Sequence, residues 1–296
     1  MGSVNRNHVP MNYRHAFHAG NFADVMKHAV LARVLAYLAE KPAAYRVIDT
    51  HAGAGVYDLS GSEAMRTGEW RDGIGRLRDA RFDEKTTALL KPYLDAVASF
   101  NTSGKLEKYP GSPALVRALM RSQDRLVACE LEPQAGAALT RFFGRDPRAK
   151  ALAIDGWTAL TAYVPPKERR GLALIDPPFE QPDEFSKLAN GLEAAHRKWA
   201  TGIYMLWYPI KDTAAVNAFT RRIARANIAK SLRLELLLAP AQDENSGLRG
   251  SGLIVVNPPW MLYDEMTIVL PQLAKVLTRN DKPAVTIEWL SREVSR

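Results

Sequence analysis

The chain has 296 residues, of which 47% are apolar and 24% charged, which fits one large globular domain or a domain with an insertion. No apolar run is long enough to span a bilayer, and the N-terminus lacks the apolar segment of a signal peptide, so a cytoplasmic location is expected. The single cysteine, Cys129, excludes an internal disulfide and a cysteine-built metal site, the six histidines show no metal-ligand spacing, and a net charge of +8 favours a polyanionic partner such as nucleic acid.

Residues 1–10 are polar and unpatterned and read as a loose leader. A helix follows from about Phe22 to Glu40, with Asn21 as its cap, Asp24 in its first turn and Lys41-Pro42 as its stop. A strand over Tyr45–Asp49 runs into Thr50-His51-Ala52-Gly53-Ala54-Gly55. From about Val56 to Lys105 the pattern is short helices and loops, and after Tyr109-Pro110-Gly111-Ser112-Pro113 a helix covers Ala114–Arg121. Strands and helices then alternate. Arg125–Glu130, Ala149–Ile154, Gly171–Ile175 and Gly202–Trp207 are strand-like, and Ala135–Phe143, Phe185–Trp199 and Ala214–Ala226 are helical. Leu232–Leu238 and Ser251–Val256 are two late strands around a polar loop, Gln242–Gly250, with no helix between them. The alternation predicts an α/β fold with a mainly parallel sheet covered on both faces, a Rossmann-like methyltransferase sheet ending in an antiparallel strand pair.

Ligands of such sheets bind at the carboxyl ends of the strands, where glycines let backbone come close. The turn at Gly53 lacks both the P-loop ending and the dinucleotide GxGxxG spacing. Glu130 ends the next strand, where an acid can accept ribose hydroxyls. Asp155-Gly156 follows the strand after that and is placed to meet an adenine ring. The most specific motif is Asp176-Pro177-Pro178-Phe179, which fits the [DN]PP[YFW] pattern of amino-group methyltransferases. The nitrogen of an aromatic exocyclic amine is a poor nucleophile because its lone pair is delocalised. A carboxylate and a backbone carbonyl that accept its two N–H bonds favour pyramidal nitrogen and help carry off charge. Pro177 stiffens the loop that holds that carbonyl, and the aromatic at 179 can stack on a base taken out of its helix. Asn257-Pro258-Pro259-Trp260 is a rival copy. Chain order assigns the catalytic loop to the fourth sheet strand, so Asn257 reads as structural. The block Tyr13–His28 mixes aromatics, bases and polar groups; it either covers the cofactor or presents Tyr13, Arg14 and Lys27 to a nucleotide.

These residues resemble the RlmJ family, enzymes that methylate N6 of one adenine in 23S ribosomal RNA. The resemblance rests on Tyr13-Arg14-His15, Phe17-His18-Ala19-Gly20-Asn21, Asp24-Val25, Lys27-His28, Asp49–Gly55, Tyr109–Pro113, Arg169–Leu172, Asp176-Pro177-Pro178, Thr201–Tyr204, Leu206–Pro209 and Asn257–Trp260, and covers nearly all the chain after residue 10. It implies S-adenosyl-L-methionine as cofactor, held by His28, His51, Gly53, Ser112, Glu130, Asp155, Gly156 and Asp176. It implies Asp176, Pro177 and Phe179 as the catalytic loop, with Asp176 as proton acceptor, and Tyr13 and Lys27 facing the RNA. It also implies a methyltransferase domain over 11–55 and 106–296 with a helical insertion over 56–105. One departure is Phe179, where the family commonly has Tyr; stacking survives, and a phenol hydrogen bond does not. No oligomerisation element is evident, so a monomer is expected, without metal or membrane. A DNA adenine or protein glutamine methyltransferase, and a binding module without catalysis, remain alternatives on the residues alone.

Overall fold

The computed structural model describes residues 13–238, 248–278 and 284–292. The leader expected over 1–10 and most of the loop expected over Gln242–Gly250 lie outside them. A 3-10 turn at His15–Phe17 leads into α1 (Phe22–Glu40), whose Asn21 side chain accepts from the backbone N–H groups of Ala23 and Asp24, both at 3.0 Å. Thirteen of the seventeen residues from Phe22 to Leu38 are buried, and only a partly exposed stripe at Arg33, Ala36 and Tyr37 faces outward in the second half of the helix.

The chain continues through β1 (Arg46–Asp49), β2 (Val56–Asp58), α2 (Ser62–Thr67), a π turn at Arg71–Gly75, α3 (Arg76–Asp79) and α4 (Glu84–Ser99). Next come β3 (Lys108–Pro110), α5 (Ser112–Leu119), β4 (Arg125–Cys129), α6 (Pro133–Phe143), β5 (Ala149–Leu152), α7 (Gly156–Ala162) and β6 (Gly171–Ile175). The last elements are α8 (Glu184–Lys198), β7 (Ile203–Ile210), α9 (Thr213–Arg225), β8 (Ser231–Leu237), β9 (Gly250–Val256), α10 (Leu262–Leu277) and β10 (Ala284–Ser291). Eight strands form one sheet in the order β10-β8-β9-β7-β6-β1-β4-β5. The segment from β7 to β5 is parallel, and β9 runs antiparallel to both β7 and β8.

The expected parallel sheet with an antiparallel tail is present, with corrections at its margins. Val56–Asp58 is a strand that pairs antiparallel with Lys108–Pro110 and so ties the two ends of the intervening segment together. Three-residue strands have no periodicity to read. The strand expected to reach Ile154 stops at Leu152, because the chain must turn for Asp155 to cap α7 through the Thr158 N–H at 2.8 Å. The helices α7 and α10 and the strand β10 are additions to the elements that the sequence pattern predicts. The tail is consequently three strands, with β10 pairing antiparallel to β8 at the sheet edge.

Period-2 alternation divides the two cores. Leu172 and Leu174 of β6 join α1, α4, α5 and α10 on one face, while Ala173 and Ile175 join α8 and α9 on the other. With β1, β4, β5 and β6 parallel, their carboxyl ends share one edge. That places the stretches after Asp49, Cys129, Leu152 and Ile175 side by side.

Candidate active site

A cleft of about 1150 Å³ opens along that edge, lined by the turn at Gly53, by Glu130, Asp155, Gly156 and Asp176, by Ser112, and by Tyr13, His15, Lys27 and His28. Pockets for one ligand typically measure about 300–1,000 Å³, so the cleft lies just above the large end of that range. Eleven of the twelve residues expected in the site line it. Phe179 does not. Its ring packs edge-on against Phe185 and Trp207, with centroids at 5.0 and 5.8 Å. Its φ of 53° is unfavourable for a non-glycine residue and kinks the chain just after the two prolines.

Asp176 leaves β6 as the first residue past the strand. Its Oδ2 accepts from Lys27 Nζ at 2.5 Å, and Lys27 also reaches Asp24 Oδ1 at 2.8 Å. Lys27 lies one turn into α1, at the position following Asp24 by three, so both side chains lie on one helix face. The Asp24 carboxylate accepts further from Gly20 N and His15 Nε2, both at 2.9 Å, and His15 Nδ1 lies 2.7 Å from Tyr13 Oη. Burial works against charge at Lys27, but the Asp176 and Asp24 carboxylates outweigh it and hold its pKa above the usual lysine value. At Asp24 burial is likewise outweighed, by His15 and Lys27, and its pKa falls well below 3.8. The sequence marks Asp24 as a first-turn acid and as part of the resembling N-terminal block, with no role of its own. Its carboxylate in fact organises the N-terminal block, which tertiary contacts alone reveal.

The half of the cleft around the glycine turn is built by close backbone approaches. Gly53 has φ +64°, and a Cβ there would sit 2.1 Å from Tyr57 Oη. A Cβ on Gly156 would lie 2.3 Å from the Thr50 carbonyl and 2.7 Å from the His51 ring. Glu130 accepts from Gly53 N at 2.7 Å and Glu132 N at 2.8 Å, one on each oxygen, so it is fixed while lone pairs remain for further donors. Ser112 donates to Asp49 at 2.7 Å. Desolvation pushes the Asp49 carboxyl up to about 7 and the His28 and His51 imidazoles down to about 3 and about 4. Both imidazoles are therefore neutral near pH 7. His28 Nδ1 lies 2.7 Å from Tyr109 Oη, and its buried Nε2 has no partner among the described residues. An unsatisfied nitrogen, a fixed acid and a glycine cradle fit the nucleoside cofactor that the resemblance implies.

The rival loop occupies the other edge of the sheet. In the antiparallel register Val256 pairs with Tyr204 near the start of β7, so Asn257 emerges opposite the cleft. Its Nδ2 donates to the Ala200 and Gly202 carbonyls, each at 2.8 Å. Asn257→Ala should lower stability by about 1–3 kcal/mol through these two bonds and the φ of 51°. Turnover per folded molecule should stay within about twofold. Urea melts alongside methyl-transfer rates check this, and lost turnover at an unchanged melt would return the rival loop to contention.

Four strand ends, a glycine cradle and a carboxylate-proline loop on one parallel edge define a Rossmann-like class I methyltransferase. The sequence profile described as "Ribosomal RNA large subunit methyltransferase D, RlmJ" matches residues 41–291. Ribosomal RNA large subunit methyltransferase J of Escherichia coli K12 is 40% identical over 283 residues, covering 96% of this chain and 100% of that one. The protein of the same name from Haemophilus influenzae Rd is 38% identical, with the same coverage of 96% and 100%. A crystal structure of a Legionella pneumophila protein superposes with a TM-score of 0.83 at 35% identity, covering 92% of this chain and 98% of that one. The chain belongs to the RlmJ family of ribosomal RNA large subunit methyltransferases.

Proposed function

We propose that the protein transfers a methyl group from S-adenosyl-L-methionine to N6 of an adenine in 23S ribosomal RNA, with Asp176 accepting from the reacting amine. The observation that carries this reading is the Asp176 carboxylate held by Lys27 in the wall of the cleft at the strand ends. When bound, the cofactor supplies an electrophilic methyl group on a sulfonium. The chain's own part is to position and polarise. His28, His51, Ser112, Glu130 and the backbone at Gly53 and Gly156 hold the nucleoside side of the cleft. The target adenine, flipped from its helix, enters between the Asp176 loop and the N-terminal block. Its amine donates one N–H to Asp176 and the other to a carbonyl of the Pro177-Pro178 turn. That keeps the nitrogen lone pair in line with the methyl carbon, and Asp176 takes the proton released as the bond forms.

Tyr13 lines the cleft, where its ring can flank the base. In this reading Lys27 fixes the Asp176 carboxylate and adds positive charge beside the RNA. Phe179, packed on Trp207 and Phe185, supports the loop and reaches the base only if its ring turns outward. The segment 56–105 acts as a helical insertion that closes one wall; Arg14 bridges to its Glu63 at 2.8 Å. Among the described residues, no helix is long and apolar enough to cross a membrane and no cluster of ligands is placed to hold a metal. The reading places the enzyme in the cytoplasm, acting as a monomer.

The test is mass spectrometry of ribosomal RNA nucleosides from a strain lacking the gene, with and without the gene restored. Loss and recovery of one N6-methyladenosine in 23S RNA is the expected result. Unchanged nucleosides, with labelled methyl transferred instead to duplex DNA or protein, would overturn it.

A further inference from the structure

We propose that the sheet edge opposite the cleft is a second RNA-docking surface, made by an arginine-lined groove between α8 and α9 and by the exposed ring of Trp260. The proposal rests on the reading that ribosomal RNA is the substrate, and adds to it a contact remote from the reacting base.

The location follows from topology. The helices α8 and α9 connect β6 to β7 and β7 to β8, and β8 is parallel to β7 because both are antiparallel to β9. Each helix therefore starts at the cleft edge and ends at the other one. The ends of α8 and α9 frame a groove of about 720 Å³. Four guanidinium groups line it, from Arg197, Arg221, Arg222 and Arg225, with one carboxylate, Glu193. Arg222 answers that carboxylate at 2.9 Å. The exposed side chains of Arg197, Arg221 and Arg225 have no ion-pair partner among the described residues. Cations near helix C-termini are favourable by roughly 0.3–1 kcal/mol each. That accounts for their presence on each helix, but not for two helices directing them into one concavity.

Trp260 lies on the same edge and is 79% exposed. The loop that carries it is fixed rather than loose. Asn257 is tied to the Ala200 and Gly202 carbonyls just after α8, its N–H donates to the Lys230 carbonyl just before β8, and Pro259 is buried. A large aromatic held out to solvent on a rigid turn gains nothing for folding. On the same edge as the unpaired arginines it matches the pairing by which proteins hold an unpaired nucleotide: a ring to stack on a base and guanidinium groups for the flanking phosphates. The eight residues of β7 put roughly 26 Å between the two edges. A large folded RNA reaches both edges, and a minimal hairpin around the target adenine reaches only the cleft.

The experiment compares a long 23S RNA fragment with a minimal hairpin, each containing the accepting adenine, in binding and methyl-transfer assays. For the triple variant Arg197→Ala, Arg221→Ala, Arg225→Ala, the expected result is a KM for the long fragment raised about tenfold. Its log–log salt slope should fall by about two to three, roughly one per lost phosphate contact. The kcat, and the KM for the hairpin, should not change. Trp260→Ala should weaken the long fragment several-fold, while Trp260→Phe keeps most of the affinity. Unchanged binding of the long fragment would overturn the proposal. So would equal losses on both RNAs at an unchanged urea midpoint, or a change in sedimentation in place of an RNA effect, which would mark a protein contact. Absence of transfer by the unaltered enzyme to either RNA would sink the substrate reading; equal RNA binding by variant and unaltered enzyme would sink the groove.

Discussion

Asp176→Ala should reduce methyl transfer by at least about 10³-fold, while cofactor affinity stays within a few-fold. The reasons are local. Asp176 is the carboxylate of the Pro-Pro loop, and among the described residues only Lys27 donates to its side chain, so its other oxygen is available to an amine. General acid–base participation contributes roughly 10²–10⁴-fold, and loss of a preorganised acceptor in a sheltered cleft adds to it. Cofactor affinity should survive because Glu130, Gly53, Ser112 and Gly156 are positioned by their own partners, none of which is Asp176. Asp176→Asn is the sharper variant. It keeps the shape and one acceptor oxygen but is far less basic, so it should lose nearly as much turnover. Tritium transfer from labelled cofactor measures turnover, and calorimetry measures cofactor affinity. Either variant turning over at the unaltered rate would remove Asp176 from the chemistry.

The part of this site that sequence made legible is the part set by strand ends. Glu130, Asp155, Asp176 and the Gly53 turn each follow an apolar run. Parallel strands must bring their carboxyl ends to one edge, so alternation with helices was enough to gather them. Ser112 and His28 came by resemblance, and geometry explains them through Asp49 and Tyr109. What stayed hidden depends on contacts distant in sequence. Nothing local separates Asp24 as a first-turn acid from Asp24 as the partner of His15 and Lys27. The pattern DPPF does not say that residue 179 takes a positive φ and packs its ring on Trp207. The α10 helix is a different case. Leu262, Met266, Val269, Leu270, Leu273 and Leu277 are spaced for a helix and buried, and Pro271 in their midst is what disguises it. The rival loop was set aside by chain order. The antiparallel register gives the physical reason, since β9 delivers Asn257 to the wrong edge.

Lys27→Met should be the most destabilising change among the site residues, and its cost should depend on pH in a diagnostic direction. Lys27 is 5% exposed, between Asp24 at 2% and Asp176 at 14%. Removing one partner of a buried ionic group costs about 3–5 kcal/mol, because the remaining charges lose their compensation. With lysine present, its raised pKa contributes stability that is complete below 10.5 and is lost only as pH rises through the higher folded value. The depressed pKa of Asp24 contributes stability that is complete above 3.8 and is lost as pH falls through the lower folded value. Between about pH 5 and 9 the shifts of Lys27 and Asp24 therefore add no slope of their own. Without lysine, two carboxylates face each other in a sheltered site and one favours a proton. The folded variant then binds more protons than the unfolded chain, so its stability should fall as pH rises from about 5 to 8. The measurement is urea unfolding at both pH values, with the difference between variant and unaltered protein widening at the higher one. Adding Asp176→Asn to Lys27→Met should recover much of the loss, since it removes one of the opposed charges. A pH-independent difference, or no recovery in the double variant, would mean that Lys27 does not serve as the counter-charge of Asp176.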